Sequence, residues 1–303
     1  MTDVARPDTS NILQAAAWMM GAVVSFSSMA VGGRSVSFEL DTFEIMMFRS
    51  FVGFAIVYLV ARSIGTLHEV KRDRLGQHAL RNIFHFTGQN LWFYALTLIP
   101  LAQVIALEFT SPLWVLILSP LFLGERLTRI KVCAAITGFI GVLIVARPSP
   151  ETINIGMLAA ATAAIGFAGT MILTKRLTRT QSLTCILFWM TAMQAVFGII
   201  CAGYDGDIAL PSLGSVPWLI LIGLAGLCAH FCLTKALTLA PATVIVPVDF
   251  LRLPVIAIIG LWIYAEPLDI FTILGAAIIF GANYTNIWAE TRKSRPAGPQ
   301  TPA

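Results

Sequence analysis

The sequence predicts an all-α membrane protein of ten transmembrane helices, arranged as two inverted five-helix repeats. Three observations predict it: a composition too apolar for water, ten apolar runs of spanning length, and a motif that recurs at one offset with its flanking charge removed. Of 303 residues, 57% are hydrophobic and 12% charged, about half the charged share of an ordinary soluble domain. Such a chain cannot cover a water-facing surface, and lipid is its natural solvent. The net charge of +4 is small and carries no nucleic-acid signal. The five cysteines, Cys133, Cys185, Cys201, Cys228 and Cys232, all lie in apolar stretches, and an odd number there is no disulfide framework. Cys228, His230 and Cys232 leave two readings, a metal site or plain packing. On a helix the two cysteines share a face and His230 points away.

The ten runs are Ile12–Gly32, Phe43–Ala61, Leu80–Leu98, Leu101–Leu123, Ile130–Ala146, Ile155–Leu173, Leu183–Ala202, Val216–Thr234, Ala242–Tyr264 and Phe271–Ile287. Each falls within the ~17–25 residues that cross ~30 Å of hydrocarbon at 1.5 Å per residue. Helices follow because lipid offers the backbone no hydrogen-bond partners, and the period-two pattern of a barrel strand is absent. The first run can be mistaken for a signal peptide, but only Arg6 precedes it and ~20 residues suit a span better. The expected organisation is a tail at 1–11, one repeat at 12–147, a second at 148–288 and a tail at 289–303.

Lysine and arginine orient the spans. With the N-terminus cytoplasmic, sixteen basic residues fall inside, including Arg62, Lys71, Arg72, Arg74, Arg81, Arg126, Arg129, Lys131, Lys175 and Arg295, against two outside, Arg34 and Arg147. Arg49 and Arg252 lie within spans. Both termini are therefore expected in the cytoplasm and the protein in a cell membrane, the inner one in a Gram-negative cell.

The run Ala95-Leu96-Thr97-Leu98-Ile99-Pro100 returns 141 residues later as Ala236-Leu237-Thr238-Leu239-Ala240-Pro241. At the same offset Glu108-Phe109 returns as Asp249-Phe250, and Glu125-Arg126-Leu127 as Glu266-Pro267-Leu268. Five spans per half means that the second copy enters from the opposite side. The charges agree: Glu125 is followed by Arg126, Arg129 and Lys131, and Glu266 by no basic residue before the next span. Inverted repeats of this kind belong to secondary transporters. Prolines interrupt only the fourth and ninth spans, at Pro112, Pro120, Pro247 and Pro254. They leave two readings, a site built on broken helices or a kink that serves packing.

A short Pro-containing turn, a Pro-interrupted helix, Gly124-Glu125-Arg126-Leu127 and a Gly-rich helix, given twice, resemble the EamA branch of the drug/metabolite transporter superfamily. Arg49 near the start of the second span also fits that family. The likeness covers about Ile12 to Ile287, and Leu107–Arg126 further resembles a subgroup that includes bacterial riboflavin and S-adenosylmethionine carriers. The second copy, Ala265-Glu266-Pro267-Leu268, lacks the glycine. The resemblance implies ten helices, cytoplasmic termini and movement of small organic metabolites.

Charge inside a span costs several kcal/mol unless paired or hydrated. Glu108, Asp249 and Arg252 are the three well inside, and Arg49 can snorkel to the surface. Glu108 and Asp249 each enter their helix by seven residues, ~10 Å, from opposite faces, and bracket the midplane. Arg252 shares a face with Asp249. The open readings are a charged site for a substrate cation or coupling proton, with Arg252 binding an anion or tuning a carboxylate, and an Asp249–Arg252 pair that only holds the ninth helix. His85, Gln89 and Trp92 fall on one face of the third span. They are either a wall for a planar substrate or part of an interfacial aromatic belt, and His230 can join that wall, relay protons or be a plain buried neutral histidine. Glu125 and Glu266 are expected to cap the N-termini of the fifth and tenth helices, in a structural or gating role. Gly138, Gly141, Gly275 and Gly281 are expected to let helices approach closely.

No Walker loop, paired-histidine zinc motif or serine triad is present, so the sequence points away from catalysis, ATP drive and cofactors. The function expected is alternating-access transport of an amphoteric or heteroaromatic metabolite, such as an amino acid, riboflavin or S-adenosylmethionine, with proton coupling open through Glu108 or Asp249. A channel or lipid flippase on the same scaffold, or an intramembrane enzyme, are the alternatives. The expected partners are that substrate and membrane lipids, with no nucleic acid.

Overall fold

The computed structural model describes residues 9–125, 127–148 and 153–293. Arg6, Arg126 and Arg295 of the charge balance, and most of both expected tails, lie outside them. Ten helical spans form: α1 (Thr9–Val36), α2 (Thr42–Ser63), α3 (Leu75–Leu98), α4 (Leu101–Phe122), α5 (Arg129–Ala146), α6 (Ile155–Leu177), α7 (Leu183–Ala202), α8 (Val216–Leu239), α9 (242–264) and α10 (Ile270–Lys293). Among the described residues there is no strand, and seven of these helices are long and apolar enough to cross a membrane unaided. The other three are α3, whose inner face is polar, α9, which is interrupted, and α10, whose apolar stretch is Ile270–Ala282.

The packing repeats with the sequence. α1 lies along α8, and α3 lies along α6. These are one contact made twice, because α1 and α3 of the first repeat correspond to α6 and α8 of the second. α2 packs on its own counterpart α7, and α5 on its counterpart α10. A two-fold relation between the halves therefore runs through both pairs. With five spans per half it inverts one repeat against the other. The α5–α10 contact is a backbone approach: a Cβ on Gly141 would lie 2.8 Å from the Gly275 carbonyl oxygen, and one on Gly275 would lie 2.7 Å from that of Gly141. The expectation of close approach fails at Gly281, which is exposed and would have nothing within 4 Å of an added Cβ.

α4 and α9 are the two broken spans. α4 consists of Leu101–Glu108 and Ser111–Phe122. Pro112 removes a backbone donor and its ring opposes the carbonyl of residue 108, so the chain breaks where Glu108 sits. α9 begins with Ala242–Ile245, passes through a 3₁₀ turn over Val246–Leu251, and resumes as Arg252–Tyr264 with Pro254 in its first turn. Pro247 falls in that turn. Both spans end alike. The Glu125 N–H bonds the Ser119 carbonyl at 3.4 Å, and the Glu266 N–H bonds the Gly260 carbonyl at 3.0 Å, the same bond at the 141-residue offset. This turn needs a left-handed residue, which is Gly124 (φ 70°) in one repeat and Ala265 (φ 51°) in the other. The missing glycine is therefore a point of strain, since a Cβ there costs about 1 kcal/mol. Ala265→Gly should raise stability by about 0.5–1 kcal/mol in denaturant unfolding of the purified protein. A neutral or lower value would mean that the turn tolerates the side chain.

Candidate substrate site between the repeats

The breaks in α4 and α9 place two carboxylates at the repeat interface, and α9 also supplies the cation between them. Arg252 is 1% exposed. It donates one nitrogen to Asp249 Oδ2 at 2.6 Å and is ion-paired with Glu108 across the repeats. Trp92 Nε1 donates to the other Glu108 oxygen at 2.7 Å. The guanidinium lies over Phe26 and Phe109, 5.1 and 5.4 Å from the ring centroids, where the ring faces favour a cation. One positive charge thus serves two buried negative ones.

These groups edge a cavity of about 30 Å³. Its lining inherits the two-fold relation. Phe26 and Phe167, Met29 and Thr170, Gln89 and His230, Trp92 and Leu233, Glu108 and Asp249, and Ser111 and Arg252 all line it, and the members of each pair stand 141 residues apart. The cavity therefore sits on the relation itself, near mid-depth. The two members of most pairs differ, so the cavity is chemically lopsided although its walls are symmetric. His85 and His230 meet edge to face, with centroids 4.5 Å apart. Both nitrogens of His230, Nδ1 of His85, Oδ1 of Asp249 and Nε of Arg252 are buried without a hydrogen-bond partner. Buried polar groups are ordinarily satisfied, and these five atoms around one cavity leave donors and acceptors with bonding capacity to spare. At about 30 Å³ it has room for about one water.

Arg49 does not snorkel. It is 7% exposed and turns inward to pair with Gln89. Trp92 is also buried, at 1%, so it takes no part in a lipid-facing belt, whereas nearby Tyr94 is exposed. Arg81, counted among the cytoplasmic-side charges, lies inside α3 at 1% exposure and donates to Thr174 Oγ1 at 3.2 Å. The spacing of Arg81, His85 and Gln89, four residues each, was the signal that places all three on one helix face. His230 is buried and Cys228 exposed.

The duplicated glutamates lie away from this cavity, and they do not cap the helices that follow them. Thr128 caps α5 and Asp269 caps α10. Glu266 instead receives the Leu101 N–H at 3.1–3.2 Å, at the start of α4, and pairs with Arg34. Glu125 receives the Ala242 N–H at 3.3 Å, at the start of α9. Pro100 and Pro241 turn those N-termini towards the partner span, where a carboxylate stabilises the free N–H groups. α4 and α9 run antiparallel, so each ends beside the other's beginning. Lys175, the counterpart of Arg34 at the same offset, closes the second clasp by donating to the carbonyls of Leu237 and Ala240 at 2.5 and 2.7 Å.

The profile of the EamA-like transporter family matches residues 13–147 and 154–287, once for each repeat. The chain belongs to the EamA-like transporter family. It is a multi-pass membrane transporter. Among curated relatives, it is 31% identical to an S-adenosylmethionine uptake transporter of Rickettsia bellii over 91% of this chain and 94% of that one. It is 32% identical to a riboflavin transporter of Brucella anthropi over 75% and 82%. A pseudopaline exporter of Pseudomonas aeruginosa is 26% identical over 84% and 89%. A solved crystal structure superposes with a TM-score of 0.74 over 92% of this chain and 98% of that one at 16% identity, which shows the shared fold.

Proposed function

We propose that the protein is a secondary carrier that moves an amphoteric, heteroaromatic metabolite by alternating access, acting as a carrier and not as a catalyst. S-adenosylmethionine and riboflavin are the first candidates, since relatives that align over most of the chain carry those names. The observation that carries the reading is the small cavity on the repeat axis, edged by five unpartnered buried polar atoms. Glu108 and Asp249 against Arg252 leave one negative charge in excess. A substrate cation or a coupling proton neutralises it, since an uncompensated buried charge is costly. Phe26, Phe167 and Trp92 line the cavity and make its wall aromatic, as suits a planar ring. The excess of basic residues on one side supports an orientation with both ends of the chain in the cytoplasm.

The test is thermal stability of the purified protein with each candidate. A ligand at 100 times its Kd should stabilise by about 2.7 kcal/mol, and Glu108→Gln should lose that response while still melting cooperatively. In proteoliposomes flux should saturate and should follow an imposed pH gradient. Lipid scrambling without saturable solute flux would overturn the carrier reading in favour of a flippase.

A further inference from the structure

We propose that Arg49 is the second pole of the substrate site and receives a carboxylate, so that the substrate is a zwitterion whose cationic group lies against Glu108 and Asp249. The inference rests on the carrier reading and names the substrate class.

It begins with an imbalance. Arg49, Arg81 and Arg252 are all buried, and both carboxylates of the central cluster face Arg252. Arg81 has neutral partners, Thr174 Oγ1 at 3.2 Å and Asn82 Oδ1 at 2.9 Å. Among the described residues, Arg49 has only the Gln89 side-chain oxygen and the Met46 sulfur as acceptors, the latter at 3.4 Å. A guanidinium carries five N–H donors in a planar fork that matches a carboxylate. Two neutral acceptors leave most of that capacity unused, in a place where an unpaired charge is expensive.

The surroundings are shaped for the group. A Cβ on Gly226 would lie 2.5 Å from Arg49 Nη2, so the α8 backbone leaves room for the guanidinium at the position where the first repeat carries His85. A cavity of about 20 Å³ lies beside Arg49, between Thr191, Gln194 and His85. His85 is also a wall of the central cavity. Gln89 belongs to the central cavity as well and holds Arg49. His85, with one unpartnered nitrogen, lines both cavities, and its ring meets that of His230, whose two nitrogens are also unpartnered. A polar lane therefore joins an anionic pole at α4 and α9 to a cationic pole at α2, and a molecule with one charge of each sign can satisfy both.

The experiment compares S-adenosylmethionine with decarboxylated S-adenosylmethionine, which differ only in the carboxylate, and includes riboflavin, which lacks an ionised group at neutral pH. Binding is measured on the full-length protein and on Arg49→Gln. The wild type should prefer the carboxylate-bearing compound by roughly tenfold to a hundredfold, the range for one hydrogen-bonded charge. Arg49→Gln should lose that preference by weakening that compound alone. Ligand-free Arg49→Gln should melt no lower than the wild type. Should it not fold, Arg49→Lys, which keeps the charge without the fork, should retain a preference of a few fold. An undiminished preference in whichever variant folds overturns the inference, as does equal binding of the two adenosyl compounds by the wild type. So does an Arg49-dependent stabilisation by chloride alone without any difference between the pair. Riboflavin bound while neither adenosyl compound binds overturns this inference and leaves the carrier reading standing; no binding of any of the three overturns both.

Discussion

Arg252→Gln is expected to cost about 3–5 kcal/mol of stability and to abolish transport. Arg252 is the cation for both Glu108 and Asp249, and all three are buried. Without it two carboxylates share a site near mid-depth with no positive partner. Such a pair cannot both stay ionised, and the Asp249 oxygen that already lacks a partner would be joined by others. Denaturant unfolding of the purified variant checks the magnitude. A second measurement separates structure from function. Adding Glu108→Gln and Asp249→Asn to Arg252→Gln removes the stranded charges and should recover most of the stability without recovering transport. A loss below about 1 kcal/mol in the single variant would mean that water reaches the cluster and screens it. A triple variant that transports normally would sink its role in the site.

The second large effect is expected at the clasps, and its sign depends on the face. Glu266→Ala removes the cap on α4 and the pair with Arg34, both on the face of the α9–α10 turn. Glu125→Ala removes the cap on α9 on the other face. Charged hydrogen bonds contribute about 1.5–3 kcal/mol when buried. The Arg34 and Glu266 side chains are partly exposed, at 21% and 15%, so the lower end applies and the closed-to-open ratio should shift roughly tenfold. The readout is labelling of Ser111→Cys, at the edge of the cavity, in a cysteine-free chain with a membrane-impermeant maleimide. Vesicles of either orientation are used. Glu266→Ala should raise labelling from its own face only, and Glu125→Ala from the opposite face only. Equal increases from both sides would show general loosening rather than two separate gates.

Both expectations depend on contacts that the linear chain conceals to different degrees. The span count, the break points at Pro112 and Pro254 and the pairing of Glu108 with Asp249 were all legible. Hydropathy, proline chemistry and a fixed offset are properties of neighbouring residues or of a copied segment. Even the strain at Ala265 could be read, as a missing glycine in the second copy, although the φ of 51° was needed to give it meaning. Arg81 was legible too, through its spacing with His85 and Gln89, but the basic loop beside it masked the signal.

What the chain alone determined is therefore the architecture: ten helices, two inverted halves, and acidic groups placed at matching depths in the two broken spans. What only the tertiary structure decided is who meets whom. Arg252 reaches Glu108 across 144 residues, Glu125 and Glu266 cap each other's spans and not their own successors, and Arg49 turns in towards Gln89 instead of out to the surface. The physical reason is that lipid and protein interior are equally apolar. A membrane helix carries little periodic record of which face is buried, and polar side chains choose their partners only once the helices have crossed.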